Sequence, residues 1–122
     1  MNIFDKLTAL ETEAADFGFK WETAGQVIRQ IRSEISETEI HLDDENKTKL
    51  QKEIGDLLHA VFSLCVFCKL DPQATLENSV NKFEKRFNAV RKLAVREGLT
   101  TLNGKSFDEL MSFWDKAKAI AE

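Results

Sequence analysis

Apolar residues along this chain recur every three or four positions, and the pattern breaks only at short polar or glycine-bearing points. That spacing marks amphipathic helices rather than strands. The first helix is predicted to run from about Asn2 to Asp16, with Ile3, Leu7, Leu10 and Ala14 on one face, before Phe17-Gly18-Phe19 breaks it. A second, from about Glu22 to Ile40, turns Val27, Ile28, Ile31 and Ile35 inward. After a polar connection at 41–46, a third from about Lys47 to Leu70 presents Leu50, Ile54, Leu57, Val61 and Leu64. Asp71-Pro72 is a stop followed by a start, since proline suits the first turn of a helix. The fourth helix, about Gln73 to Glu97, carries Leu76, Val80, Phe83, Phe87 and Val90 near a heptad period and ends at Gly98. Ser106-Phe-Asp-Glu109 is a capping box that opens a short last helix through Trp114. The expected class is therefore all-α, an antiparallel helical bundle of about four to five helices in a single domain over residues 1–122.

Composition narrows the function classes. Five glycines and one proline in 122 residues favour helices over turn-rich sheets. A net charge of −4 argues against a broad surface for duplex nucleic acid. It leaves a phosphate ligand open, because a bound cation can reverse the local sign. The longest apolar stretch, around Leu57 to Phe67, is interrupted by His59 and Ser63 and is too short to span a membrane. The first residues lack the basic-then-apolar order of a signal peptide. Cys65 and Cys68 sit in an apolar run with no second cysteine pair, and are read as buried, reduced, small apolar residues. That reading fits a cytoplasmic protein. Phe62 and Phe67 lie off the main stripe of the third helix and are read as a second apolar face, the interface of a homodimer or homotetramer.

The candidate chemistry lies in the second and third helices. Glu34-Ile-Ser-Glu37 and Glu53-Ile-Gly-Asp56 are acidic pairs at a spacing that shares a helix face. At about 100° per residue, Glu34 falls about 60° and Glu37 about 120° to one side of Ile31. Glu53 falls about 40° and Asp56 about 100° to the same side of Leu57. Two helices packed face to face and antiparallel bring those flanks to one side of the hairpin, with Glu34 level with Asp56 and Glu37 level with Glu53. Four carboxylates at one level repel unless neutralised, and a hard divalent cation with oxygen ligands resolves the conflict. A solvated acidic face is the alternative. A di-iron bundle would use Glu-x-x-His motifs instead. Asp56-x-x-His59 exists, but His59 computes to the face opposite the stripe and is read as a surface or interface residue. On the fourth helix Lys82 and Arg86 share one flank, which by spacing alone can equally be an ordinary basic face.

These residues carry a resemblance. Glu34 and Glu37 with Glu53 and Asp56 follow the pattern E-E-x-x-E, then E-x-x-D, of MazG-type nucleotide pyrophosphohydrolases in the all-α NTP pyrophosphatase superfamily. Glu53-Ile-Gly-Asp-Leu-Leu-His-Ala60 resembles the family's E-x-G-D-x-L-F-A segment. The likeness continues in Phe17-Gly-Phe-Lys-Trp21, Lys82-Phe-Glu-Lys-Arg-Phe87 and Phe113-Trp-Asp-Lys-Ala-Lys118. The resemblance implies hydrolysis of nucleoside or deoxynucleoside triphosphates to the monophosphate and pyrophosphate, in the service of nucleotide-pool cleansing. It implies Mg²⁺, with Mn²⁺ as substitute, held by Glu34, Glu37, Glu53 and Asp56, which are then also the catalytic residues. It makes Lys82 and Arg86 holders of the triphosphate tail, Lys118 a further candidate, and Trp21 a candidate to stack on the base. A phosphoribosyl-ATP pyrophosphatase-like enzyme is the alternative within the superfamily, and a non-catalytic helical interaction module the alternative outside it. The chain departs from the pattern at Ser33, where the first Glu is expected, at His59, where Phe is usual, and near Ser63 and Val80, where Asn is usual. Arg91 stands where an acidic residue commonly follows.

Overall fold

The computed structural model describes residues 1–121. Five helices and, among the described residues, no strand make up the fold: α1 (Ile3–Asp16), α2 (Ala24–Ile40), α3 (Thr48–Phe67), α4 (Pro72–Arg96) and α5 (Phe107–Ile120). The all-α expectation is met. Two compact units divide the chain, Met1–Thr75 and the segment from Leu76 on. None of the helices is long and apolar enough to cross a membrane.

Local chemistry sets most helix ends. Asn2 caps α1, its side chain accepting from the Asp5 N–H at 2.8 Å. Gly18 takes φ 98°, and the Gly18 and Phe19 N–H groups return to the Ala15 and Ala14 carbonyls, which closes α1 where the glycine was expected to break it. Helix α2 begins two residues later than the apolar pattern predicts. Thr23 caps it in a reciprocal box, its hydroxyl accepting from the Gln26 N–H while the Gln26 side-chain oxygen accepts from the Thr23 N–H. Helix α3 stops three residues early because Lys69 adopts the left-handed conformation, φ 60°, and Leu70 donates back to the Cys65 carbonyl. Asp71 accepts from the Ala74 N–H at 2.9 Å and so caps α4, whose first residue is the fully buried Pro72. Gly98, φ 74°, ends α4 as expected. The capping box at Ser106 forms, and donation from the Ser106 backbone and hydroxyl holds the Glu109 carboxyl below its ordinary pKa. Helix α5 runs on to Ile120 rather than stopping at Trp114, since Ala117 is wholly buried and anchors its second half.

In the first unit α2 and α3 form the main helical hairpin, and α1 docks on α3. Val27, Ala60 and Ser63 are the buried positions of α2 and α3. The face of α1 differs from expectation. Ile3 and Leu10 are exposed, at 70% and 54%, while Phe4, Leu7, Glu11 and Ala14 turn inward. Phe4 meets Phe62 edge-on at 5.3 Å between ring centroids. Phe62, read from sequence as part of an oligomer interface, thus has a partner within the chain. Below it, the Ser63 hydroxyl donates to Glu11 Oε1 at 2.5 Å, and His59 Nε2 lies 3.1 Å from the same oxygen. His59 is otherwise at the surface, as expected. The cysteines are less enclosed than expected: Cys65 is half-buried and Cys68, the cap after α3, is exposed, both as free thiols.

The second unit packs Ala89 and Val90 of α4 with Phe113 and Ala117 of α5, and Leu93, Leu99, Leu102 and Trp114 close around them. Of the predicted α4 stripe, only Val90 is buried. Leu76, Val80, Phe83 and Phe87 remain exposed, although Phe83 and Phe87 stack nearly parallel at 6.1 Å.

Removing the carboxylate that docks α1 strands a buried hydroxyl. Glu11→Ala is expected to lower unfolding free energy by about 1–3 kcal/mol, the cost of an unpaired buried polar group. Adding Ser63→Ala should return part of that loss. Urea denaturation of the two single mutants and the double mutant measures both; a Glu11→Ala midpoint equal to the parent's would show that the bond holds nothing.

Candidate metal and substrate site

The α2–α3 hairpin places its acidic side chains by helix register. Glu34 on α2 and Glu53 on α3 are half-buried beside the seam, and Asp56, one turn along α3, is exposed. One carboxylate oxygen from each of the three lies within 4.8 Å of the others. Glu37 does not join this group and is exposed. Helix angle explains the difference. Of the four, Glu37 lies furthest from its apolar stripe, at about 120°, so its side chain leaves the seam toward solvent.

Glu34, Glu53 and Asp56 carry charge of one sign. Among the described residues, none of them is ion-paired to a lysine, arginine or histidine. Two like charges at that separation repel by roughly 1 kcal/mol in bulk water and roughly 3–4 kcal/mol at an effective dielectric near 20. One neutral donor does reach the group: the Gln30 side-chain amide donates to Glu34 Oε1 at 2.8 Å. The set offers oxygen donors alone, from two helices, with one member open to solvent. Such chemistry fits a hard divalent cation, and a soft or nitrogen-preferring metal much less well.

The other predicted residues have other surroundings. In the second unit, the Arg86 guanidinium lies over the Trp114 ring at 5.6 Å, and Trp114 also packs against Phe83 at 5.8 Å. Arg86 is half-buried, while Lys82, four residues before it on α4, is exposed. Lys118 pairs with Asp115 across one turn of α5 at 3.6 Å, with the Lys118 side chain partly exposed and that of Asp115 largely exposed. Trp21 stands in the segment just before the α2 cap and is 37% exposed. Two open depressions, one lined by Asp44, Glu45, Asn46 and Lys49 and the other by Lys85, Asn88, Ala89, Lys92, Ile120 and Ala121, include none of these residues.

Sequence reasoning passed over two side chains that the geometry brings forward. Gln30 was readable, since an amide four residues before a carboxylate on a helix is within reach of it. Trp114 as the platform for Arg86 was not, because that contact joins two helices across a long turn.

Comparison with known proteins identifies the family. Residues 22–91, which contain α2, α3, all four carboxylates, Lys82 and Arg86, match the model of the MazG nucleotide pyrophosphohydrolase domain. Over 109 residues the chain is 29% identical to a nucleoside triphosphate pyrophosphohydrolase/pyrophosphatase MazG of Thermotoga maritima, covering 89% of this chain and 41% of the relative. It is also 29% identical over 111 residues to a nucleoside triphosphate pyrophosphohydrolase of Escherichia coli, with 89% and 42% covered. Over 69 residues it is 32% identical to the protein YabN of Bacillus subtilis, with 57% of this chain and 14% of that one covered. The chain therefore spans about two-fifths of the length of the first two curated relatives. By the family model's match over more than half its length, and by the residues that this match contains, the chain belongs to the MazG nucleotide pyrophosphohydrolase family.

Proposed function

We propose that this chain hydrolyses nucleoside or deoxynucleoside triphosphates to the monophosphate and pyrophosphate, in a reaction that depends on Mg²⁺ and accepts Mn²⁺. The observation that carries the proposal is the group of three carboxylate oxygens within 4.8 Å, contributed by two helices. Glu34, Glu53 and Asp56 hold the cation, and Glu37, one turn beyond Glu34, is the fourth carboxylate of the set. The metal, when bound, supplies charge neutralisation and orientation for the phosphate oxygens and the attacking water. Water adds to the α-phosphorus, the bond to the bridging oxygen breaks, and pyrophosphate departs while a proton passes to solvent.

Lys82 and Arg86 bind the triphosphate tail. Arg86 presents a planar fork, and its stacking on Trp114 limits the side-chain freedom it would lose on binding. Lys82 adds a mobile point charge. Lys118 joins them by leaving Asp115, since an exposed ion pair contributes little. Trp21, partly exposed beside the start of α2, stacks on the base. The physiological task is nucleotide-pool cleansing in the cytoplasm. The working form is a homodimer or homotetramer, in which exposed apolar residues such as Leu76, Val80, Phe83 and Phe87 find cover.

Product analysis tests the reaction. A panel of NTPs and dNTPs with Mg²⁺ or Mn²⁺ is expected to yield monophosphate and pyrophosphate, and EDTA to stop it. Diphosphate and orthophosphate as products would overturn the assignment.

The carboxylate group makes a paired prediction about stability and turnover. Glu53→Gln relieves repulsion, so it should raise the melting temperature in EDTA, nearly abolish hydrolysis, and remove most of the stabilisation that Mg²⁺ gives the parent. The exposed Glu13 serves as control. Asp44 does not, because it pairs with His41 at 2.8 Å. Identical melts and rates for Glu53→Gln and Glu13→Gln would reduce the group to a solvated acidic face.

For the triphosphate tail, Arg86→Ala should lower kcat/KM by roughly 30-fold, about 2 kcal/mol of transition-state binding. Lys85→Ala, on another face of α4, should change it little. Equal losses in the two variants would remove Arg86 from the binding role.

A further inference from the structure

Gln30 stands one turn before Glu34 on α2 and is half-buried. Its side-chain nitrogen donates to Glu34 Oε1 at 2.8 Å. Among the described residues it is the one side-chain donor that reaches any carboxylate of the group. From this contact we infer that Gln30 is a positioning residue for Glu34, holding that carboxylate ready for a divalent cation. The inference rests on the metal reading given above and adds to it a residue outside the carboxylate set.

The argument is one of chemistry. An unrestrained glutamate samples many rotamers, and the field of Glu53 and Asp56 pushes Glu34 away from the seam. A donor fixed on the same helix opposes both effects. A lysine or arginine in that place would restrain Glu34 as well, but its charge would compete with the cation for the same oxygens. A carboxamide restrains without neutralising, so the full negative charge of the group stays available. The amide uses one acceptor position of Glu34 and leaves the others free, since an ionised carboxylate has about four. Turned the other way, the amide would set its carbonyl oxygen against a carboxylate, so the donor orientation is the favourable one. An outer partner of this kind commonly contributes about 10- to 100-fold in metal affinity.

Calorimetric titration with Mn²⁺ alone, without nucleotide, tests this on the full chain. Gln30→Met keeps length and helix propensity and removes the donor. It is expected to weaken Mn²⁺ binding about tenfold, while the melting temperature in EDTA stays close to the parent's. Gln30→Asn keeps the amide but loses its reach, and carries the same expectation, so failure of one variant to fold leaves the test in place. Gln51→Met, the same chemical change at an exposed position of α3, should bind as the parent does. Glu53→Gln should not bind measurably. If the parent binds Mn²⁺, Glu53→Gln does not, and both Gln30 variants match the parent, the positioning role falls and the metal site stands. If the parent itself binds no Mn²⁺, both fall. A lowered melting temperature in EDTA with unchanged Mn²⁺ affinity would assign Gln30 to helix stability alone and overturn the inference.

Discussion

Like-charge crowding at the rim of the α2–α3 hairpin is the constraint on which the proposed function turns. Burying Val27 and Ala60, with Leu57 half-buried beside them, fixes the rotation and the level of both helices. Once those are fixed, Glu34, Glu53 and Asp56 have no freedom to separate except by swinging their own side chains. The hydrophobic contact thus forces an electrostatic conflict that it is strong enough to bear. A chain selected only for stability would place a lysine there. This one places a neutral amide beside Glu34 and leaves the charges otherwise uncompensated among the described residues. Local violations of good design tend to mark working parts of a protein.

The second unit solves a different problem. A long cationic side chain keeps one orientation only where something packs against it. Arg86 achieves this by stacking on Trp114, whose own position is set by Phe83 and by the buried cluster of Ala89, Val90, Phe113 and Ala117. A flat aromatic surface contributes order here.

Most of the fold was readable from periodicity because helices obey local arithmetic. The carboxylate group was readable for the same reason: a short connection at 41–47 ties the register of α2 to that of α3. Glu37 fell outside the group because pairing by level gave all four acids equal standing, when their angles from the seam already separated them. The face of α1 was not readable. The stripe through Ile3 and Leu10 and the stripe through Phe4 and Glu11 share Leu7 and Ala14, and hydropathy favours the first. The choice is made by Phe62 and Ser63 on another helix, which no reading of α1 alone can see. The α4 stripe failed differently. Its spacing suits burial, but of the stripe only Val90 is buried among the described residues, while Phe83 makes a partial contact with Trp114. The box at Thr23 and Gln26 was as legible as the one at Ser106; the apolar pattern simply drew the eye to the earlier Glu22.

The docking of α1 has a consequence for how this chain can change. His59 and Ser63 both converge on Glu11, which lies outside the stretch matched by the family model. The three positions therefore form one exchangeable block. Replacing either His59 or Ser63 by a residue without a donor leaves Glu11 with one partner fewer. Grafting α1 onto a surface that lacks both donors would leave the Glu11 carboxylate without a partner. Drift at any one of the three is conditional on the other two, so the helix and its receiving surface must be inherited, or redesigned, together.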